Sequence, residues 1–204
     1  MPAPTTTAPV LESGDRLTRA EFHRRYSARP DIKKAELVEG VVYVASPLRY
    51  PVHGKQHSQV MGWLTGYWAR HPELMLGDNT TVFLDGDNEV QPDAWLAREA
   101  PGGPRLDEEG YMEGAPQLVV EIAASSASYD LHDKMQGYRR SGVGEYIVWR
   151  TLDGAIDWFR LREGEYVRVE PDARGLIESE QFPGLRLNVP KMLGGDLAGV
   201  LAEL

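Results

Sequence analysis

Three acidic residues in this sequence lie inside apolar segments, where a carboxylate is costly to bury unless it is paired or binds a cation. Glu121 interrupts an apolar run over residues 118–124, and Glu39 and Asp93 are also flanked by apolar residues. If the three segments are neighbouring strands, the carboxylates converge into a site of hard oxygen ligands suited to Mg²⁺ or Mn²⁺. Each acid alone could equally be half of a buried ion pair, so the prediction depends on all three together.

A lysine supplies the fourth candidate group. Lys134 lies on the helix predicted directly after the Glu121 segment. Its ammonium could stabilise negative charge that develops on a phosphate, or orient an attacking water. Asp130 stands four residues earlier, so an ordinary ion pair on one helix face is the structural alternative.

Two histidines open another predicted helix. His53 and His57 are four residues apart, a spacing that can place two imidazoles on one helix face for a metal. The sequence has no His-Glu-x-x-His pattern, so a zinc-peptidase site is not supported. A histidine at a helix start is more often a cap or a surface contact. We keep His53 as a candidate contact to a substrate phosphate.

Composition excludes several other chemistries. The chain has no cysteine, which rules out disulfides and cysteine-ligated zinc. It contains neither the Gly-x-Ser-x-Gly pattern of a serine hydrolase nor a glycine-rich phosphate-binding pattern. The net charge of 22 − 31 = −9 counts against a large nonspecific nucleic-acid surface. A small metal site built from carboxylates remains compatible with it, because such a site is acidic when empty.

The elements that position these residues are predicted from hydrophobic periodicity and turn signals. We expect a loose N-terminal tail over residues 1–14 and a single domain over residues 15–204. Helices are predicted over 17–26, 53–70 and 130–141, and strands over 36–45, 80–84, 89–97, 117–124, 145–150, 155–161 and 166–169. This order predicts an α/β (α+β) fold in which helices flank a mixed central sheet.

Several short segments together carry a family resemblance. They are Glu-Leu-Val-Glu-Gly at 36–40, Ala-Ser-Pro at 45–47, Gln-Pro-Asp at 91–93, Leu-Val-Val-Glu-Ile at 118–122, Asp-Leu-His-Asp-Lys-Met-Gln-Gly-Tyr at 130–138 and Gly-Val-Gly-Glu-Tyr-Ile-Val-Trp at 142–149. In this order and spacing the chain resembles the bacterial Uma-two family of restriction-type endonucleases, within the PD-(D/E)XK nuclease superfamily. The matching segments span roughly residues 17–170.

The resemblance implies a restriction-endonuclease-like fold and hydrolysis of phosphodiester bonds in nucleic acid, with DNA preferred. It implies Mg²⁺ or Mn²⁺ held by Asp93, Glu121 and the backbone carbonyl of Ile122, with Glu39 binding a second ion or orienting the first. The superfamily's usual lysine would stand two residues after Glu121, but Ala123 occupies that position. The resemblance therefore implies that Lys134, on the helix, takes the role of this lysine.

A rival hypothesis keeps the nuclease-like scaffold but makes it a non-catalytic module for binding or oligomerisation. In this rival the acids are structural. The negative net charge favours it, because a nucleic-acid surface is normally basic. In either case we expect a cytoplasmic protein that can form a homodimer. No apolar run approaches the ~18 residues that a membrane span requires, so no membrane partner is expected.

Overall fold

The computed structural model describes residues 10–204. Its helices are α1 Arg19–Ser27, α2 Gly54–Trp68, α3 Ala127–Tyr129, α4 Met135–Ser141, α5 Val189–Gly194 and α6 Leu197–Leu201. Its strands are β1 Ala35–Val38, β2 Val41–Val44, β3 Met75–Asp78, β4 Val82–Phe83, β5 Glu89–Val90, β6 Ala94–Ala97, β7 Arg105–Leu106, β8 Met112–Glu113, β9 Leu118–Ala123, β10 Glu145–Arg150, β11 Ala155–Arg162, β12 Glu165–Val169, β13 Leu176–Glu178 and β14 Arg186–Asn188. A 3₁₀ turn covers Tyr50–Val52, and a π-helical turn covers Asp130–Lys134.

The strands form two six-stranded mixed sheets and one short pair. The first sheet has the order β2-β1-β5-β4-β8-β7, the second β12-β11-β10-β9-β6-β3, and the pair is β13-β14. Each large sheet contains one parallel contact among antiparallel ones, β4 with β8 and β9 with β10. The predicted α+β class is confirmed, although the strands divide between two large sheets where one central sheet was expected.

Strand β9 forms the centre of the second sheet. It pairs in parallel with β10 and antiparallel with β6, and all six of its residues are buried. Alternate residues face two different clusters. Val120 and Ile122 pack with Trp63 of α2, whereas Val119 and Ala123 face α4 and the first sheet. Glu121 lies on the second of these faces by the same alternation.

The segment predicted as one strand over 36–45 is a hairpin. Glu39 and Gly40 form its turn, with φ of 51° and 73°. Positive φ at both central residues matches the twist of the two flanking strands, and glycine adopts it without steric cost. Glu39 therefore lies in a turn and not within an apolar strand, which corrects its predicted placement.

The predicted strand over 89–97 breaks around Pro92. Its first part, β5, belongs to the first sheet, and its second part, β6, belongs to the second sheet. Proline has no N–H to donate to a ladder, so it separates the two pairings. The break leaves Asp93 directly before β6, at the junction of the two sheets.

The remaining segments show how far the predicted boundaries hold. Thr18 caps α1, because its hydroxyl accepts a hydrogen bond from the Glu21 N–H at 3.4 Å. Residues 1–9 of the predicted tail lie outside the described residues. Residues 10–14 are exposed apart from Leu11, which is buried, and the Gly14 N–H donates to the Val42 carbonyl. The elements after residue 170 were not predicted.

Candidate functional site

Asp93 and Glu121 are neighbours across two adjacent strands. Strands β6 and β9 pair Ala94 with Val120, and one further step of this antiparallel register places Asp93 opposite Glu121. Residues that are opposite in a ladder point to the same face of the sheet. Both carboxylates are buried, at 3% exposure each, and both line one pocket. The structure therefore brings these two predicted site residues together.

Asp93 is held by three donors. Its Oδ2 accepts a hydrogen bond from the Ile122 N–H at 2.8 Å and lies 3.2 Å from Nε2 of His53, while its Oδ1 lies 3.4 Å from the Lys34 ammonium. Burial alone would raise the pKa of Asp93. The His53 hydrogen bond and the Lys34 charge outweigh it and hold that pKa well below its ordinary value. Asp93 is therefore ionised at neutral pH.

The two histidines are both near Asp93 but contact different atoms. The His53 imidazole is buried and faces the carboxylate. Nε2 of His57 lies 3.1 Å from the backbone oxygen of Asp93 and 3.0 Å from a carboxylate oxygen of Asp78. The pair therefore does not meet at one point as two metal ligands would. His53 contacts the Asp93 carboxylate and lines the pocket, and its predicted contact to a substrate phosphate stays a prediction.

Glu121 has two short contacts on the same oxygen. Its Oε1 lies 2.6 Å from the ammonium of Lys134 and accepts a hydrogen bond of 2.7 Å from the Tyr138 hydroxyl. Burial raises the pKa of Glu121, Lys134 lowers it, and repulsion by Asp93 and Asp130 raises it again. The net result is a pKa of about 8. The carboxyl group thus lies where negative charge is in excess. A cation bound there would relieve that excess.

Lys134 reaches the site from a distorted part of its helix. It ends the π-helical turn between α3 and α4, and such turns occur frequently at functional sites. The Tyr146 hydroxyl of β10 fastens this turn by donating to the Asp130 carbonyl at 2.9 Å. Lys134 is buried and is paired with Glu121 and Glu36. The exposed Asp130–Lys134 pair of the structural alternative is therefore not formed.

The charge on Lys134 is set by the acids around it. Burial alone would lower its pKa, but Glu121, Glu36 and Asp130 outweigh burial and raise that pKa well above its ordinary value. The same competition applies to Lys34, where burial is outweighed by Glu36 and Asp93. Both side chains are therefore ammonium ions at neutral pH, so neither is free to accept a proton.

Glu36, which was not predicted, occupies the place expected for Glu39. It is buried in β1, where its Oε1 accepts hydrogen bonds from the Gln91 N–H at 2.8 Å and from Lys134 at 2.9 Å. Glu39 instead pairs with Arg140 and accepts from the Asn88 amide. Within the described residues it is not part of the pocket lining. The expected convergence of Glu39 with Asp93 and Glu121 is therefore not observed.

The pocket that contains these groups has a volume of about 360 Å³. Tyr129 and Tyr43 form part of its wall, with ring centroids 4.1 Å apart. The Tyr43 hydroxyl donates to Asp133. The Tyr129 hydroxyl is enclosed and has no hydrogen-bond partner among residues 10–204. The pocket therefore combines a charged floor with an aromatic wall.

The donor atoms at the floor of the pocket are carboxylate oxygens, which Mg²⁺ and Mn²⁺ prefer as ligands. Within residues 10–204 there is no group of three or more His, Asp or Glu side chains arranged as a metal cage. Mg²⁺, however, is usually bound by only one or two carboxylates and completes its octahedron with waters and substrate phosphate oxygens. Asp93 and Glu121, opposite each other on adjacent strands, supply this smaller set. The residues present therefore fit Mg²⁺ or Mn²⁺.

Comparison with known proteins places the chain in a family. The family model Uma2, described as "Putative restriction endonuclease", matches residues 19–190. The chain belongs to the Uma2 family. Family and fold together are those of restriction-endonuclease-like nucleases. No match was found among curated proteins.

Solved structures give the same fold. One is the crystal structure of "a putative nuclease belonging to DUF820" from Anabaena variabilis ATCC 29413. It superposes with a TM-score of 0.61 at 14% sequence identity, covering 79% of this chain and 90% of the other. At this identity the likeness establishes the fold alone. Among residues 10–204 no helix is both long enough and apolar enough to cross a membrane.

Proposed function

We propose that this Uma2 member is a divalent-metal-dependent endonuclease that hydrolyses phosphodiester bonds in nucleic acid, with DNA as the favoured substrate. The observation that supports this most strongly is the buried pair of Asp93 and Glu121 at the floor of a pocket that also contains Lys134. Two buried acids opposite each other repel, so their arrangement has a cost that a divalent ion would offset.

In this proposal Asp93, Glu121 and the backbone carbonyl of Ile122 hold Mg²⁺ or Mn²⁺. When bound, the ion would neutralise charge on the phosphate oxygens and favour ionisation of a water. His53 and the Ile122 N–H act as positioning groups, because both contact Oδ2 of Asp93 and fix the direction of its carboxylate. Glu36 replaces Glu39 in the site, and it holds Lys134 in place through both carboxylate oxygens at 2.9 and 3.0 Å.

Lys134 stabilises charge and does not accept a proton. Hydrolysis forms a bond from a water oxygen to phosphorus and breaks the bond from phosphorus to the leaving oxygen. Negative charge therefore builds up on the phosphoryl group and on the leaving oxygen. A buried ammonium held in place by Glu36 is well suited to stabilise this charge. The proton that the water loses passes to solvent, and the leaving oxygen takes a proton from solvent. In the metal-free protein the surrounding acids raise the pKa of Lys134, so that it is protonated there.

The test is a cleavage assay with Mn²⁺ or Mg²⁺ on DNA and RNA, using Asp93→Asn and Glu121→Gln. Loss of a metal worth several kcal/mol in the transition state predicts a fall of about 10³-fold or more in rate. Glu39→Gln is the matched control, since it removes an acid of similar sequence context that lies outside the pocket. Activity of both site variants equal to wild type would refute the proposal. An inactive wild type would favour the non-catalytic binding module.

A further inference from the structure

An exposed loop borders the pocket that contains Asp93, Glu121 and Lys134. Residues 45–49 connect β2 to the 3₁₀ turn Tyr50–Val52 before α2, and all of residues 45–51 are exposed. Within this loop, Leu48 is 61% exposed and Tyr50 is 71% exposed, on either side of Arg49. Leu48 and Arg49 line the pocket itself. Single exposed apolar residues are ordinary, but two that flank an arginine at a pocket mouth indicate a contact surface.

Tyr50 is supported on one side of its ring. A Cβ built on Gly54, at the start of α2, would lie 3.3 Å from Cδ2 of Tyr50. Glycine at this position therefore allows the ring to rest against the helix start. The rest of the ring faces solvent, as its exposure shows. A ring held in this way is a preformed surface on which another flat group can stack.

The depth of the charged groups limits what can reach them. Asp93, Glu121 and Lys134 are each 3% exposed, at the floor of a cavity of about 360 Å³. A phosphodiester must enter this cavity together with its sugar. A nucleotide that is unpaired can do so with its base turned outward, whereas a paired nucleotide must first be unstacked at a cost of a few kcal/mol.

The distribution of charge also favours an unpaired strand over a duplex. The chain carries a net charge of −9, which does not favour a wide surface that follows the phosphates of a duplex. Arg49 brings a positive charge to the pocket lining beside Leu48, whereas Lys34, which also lines the pocket, is already paired with Asp93. Binding sites for single strands combine local positive charge with aromatic rings on which bases stack.

We propose that loop 45–51 is a stacking platform for an unpaired nucleotide, so that the substrate class is single-stranded or locally unpaired nucleic acid. This inference rests on the proposed nuclease function. It adds that Tyr50 stacks on a base and Leu48 contacts the same strand, while Arg49 pairs with a phosphate. Stacking of one base predicts that Tyr50→Ala weakens binding of a single strand by roughly 5- to 100-fold.

The experiment measures binding by fluorescence anisotropy with a labelled 15-nucleotide single-stranded DNA, the duplex of the same sequence and the corresponding RNA. Ca²⁺ replaces Mg²⁺ so that binding is followed without cleavage. Wild type is compared with Tyr50→Ala and with Tyr50→Phe, which keeps the ring. Val167→Ala is the control, because Val167 is also exposed, at 52%, but lies on the edge strand β12.

We expect single strands to bind more tightly than the duplex, with affinity lost in Tyr50→Ala and retained in Tyr50→Phe and Val167→Ala. Equal or tighter binding of the duplex, no binding of any probe, or full affinity in Tyr50→Ala would each overturn the inference. Cleavage assays separate it from the proposed function. Cleavage that prefers the duplex would support the nuclease function and refute the stacking platform. Binding that depends on Tyr50 without any cleavage would support the platform and refute the nuclease function.

Discussion

Two buried glutamates on adjacent strands of one sheet have opposite surroundings. Glu145 begins β10 and is 1% exposed, and its carboxylate is fully engaged by Arg160, the Ser179 hydroxyl and the Glu180 N–H. Glu121 on β9 is buried almost as completely, but it shares one lysine with Glu36 and stands opposite Asp93. Burial of an acid therefore does not identify a site. What distinguishes Glu121 as a candidate site residue is that acids outnumber cations around it and that the group lines a pocket.

Among variants that leave Asp93 and Glu121 in place, the largest effect is expected for the cation that the pocket acids share. Lys134→Ala should lower the rate of phosphodiester cleavage by about 10²–10³-fold, because a charge aimed at the transition state is lost. Metal binding should persist, since Asp93 and Glu121 remain. Single-turnover kinetics together with a Mn²⁺ titration measure both properties. Lys191→Ala is the control, as Lys191 pairs with Glu203 outside the pocket. Unchanged cleavage in Lys134→Ala would reduce Lys134 to a structural role.

Stability separates the two glutamates directly. Glu145→Gln should destabilise the metal-free protein by about 1.5–3 kcal/mol, because it removes a buried carboxylate that accepts hydrogen bonds from Arg160, Ser179 and the Glu180 N–H. Glu121→Gln should lower the free energy of unfolding by less than about 1 kcal/mol, or raise it, since it removes one of several acids that repel one another. Urea denaturation in EDTA measures both values. Equal losses in the two variants would mean that Glu121 is as structural as Glu145.

Two tyrosines whose rings lie near the Lys134 ammonium sharpen the comparison. The Tyr138 hydroxyl donates to Glu121 at 2.7 Å, so Tyr138→Phe removes a hydrogen bond to a carboxylate and should cost about 1.5 kcal/mol. The Tyr129 hydroxyl is buried without a partner in the described part of the chain, so Tyr129→Phe should be neutral or stabilising. Thermal or urea denaturation distinguishes them. A larger loss for Tyr129→Phe would show that its hydroxyl has a partner in solution.

The smallest effect is expected for the acid outside the pocket. Glu39 pairs with Arg140 at the surface, where such pairs contribute about 0–1 kcal/mol. Glu39→Gln should therefore leave cleavage unchanged and stability nearly so. Glu36→Gln should reduce cleavage, because it removes a carboxylate that positions Lys134. Denaturation and cleavage assays on both variants are sufficient. A reversed ranking in cleavage would return Glu39 to the site.

The sequence predicted those parts of the site that depend on local patterns. An acid within the apolar run of β9 and a lysine on the following helix are visible in any window of that length. The choice between Glu36 and Glu39 depended on the position of one turn. Glu-Gly is a weaker turn signal than Asn-Gly or Asp-Gly, so the hairpin read as a single strand. Recognising that turn would have placed Glu36 in the buried strand.

Contacts distant in sequence lay beyond prediction. Lys134 and Glu36 are 98 positions apart, and no local pattern indicates that they meet. The division of residues 89–97 between two sheets depends in the same way on which strands become neighbours. Pro92 indicated a break in pairing, but the destination of each half is set by tertiary packing.

The central claim is that Asp93 and Glu121 hold a divalent ion, and a titration with Mn²⁺ tests it most directly. The account predicts that Mn²⁺ raises the melting temperature of the wild type and of Glu39→Gln, since binding to the native state at 100 times Kd adds about 2.7 kcal/mol. Asp93→Asn and Glu121→Gln should show no such rise. An equal rise in all four proteins, or none in the wild type, would contradict the claim.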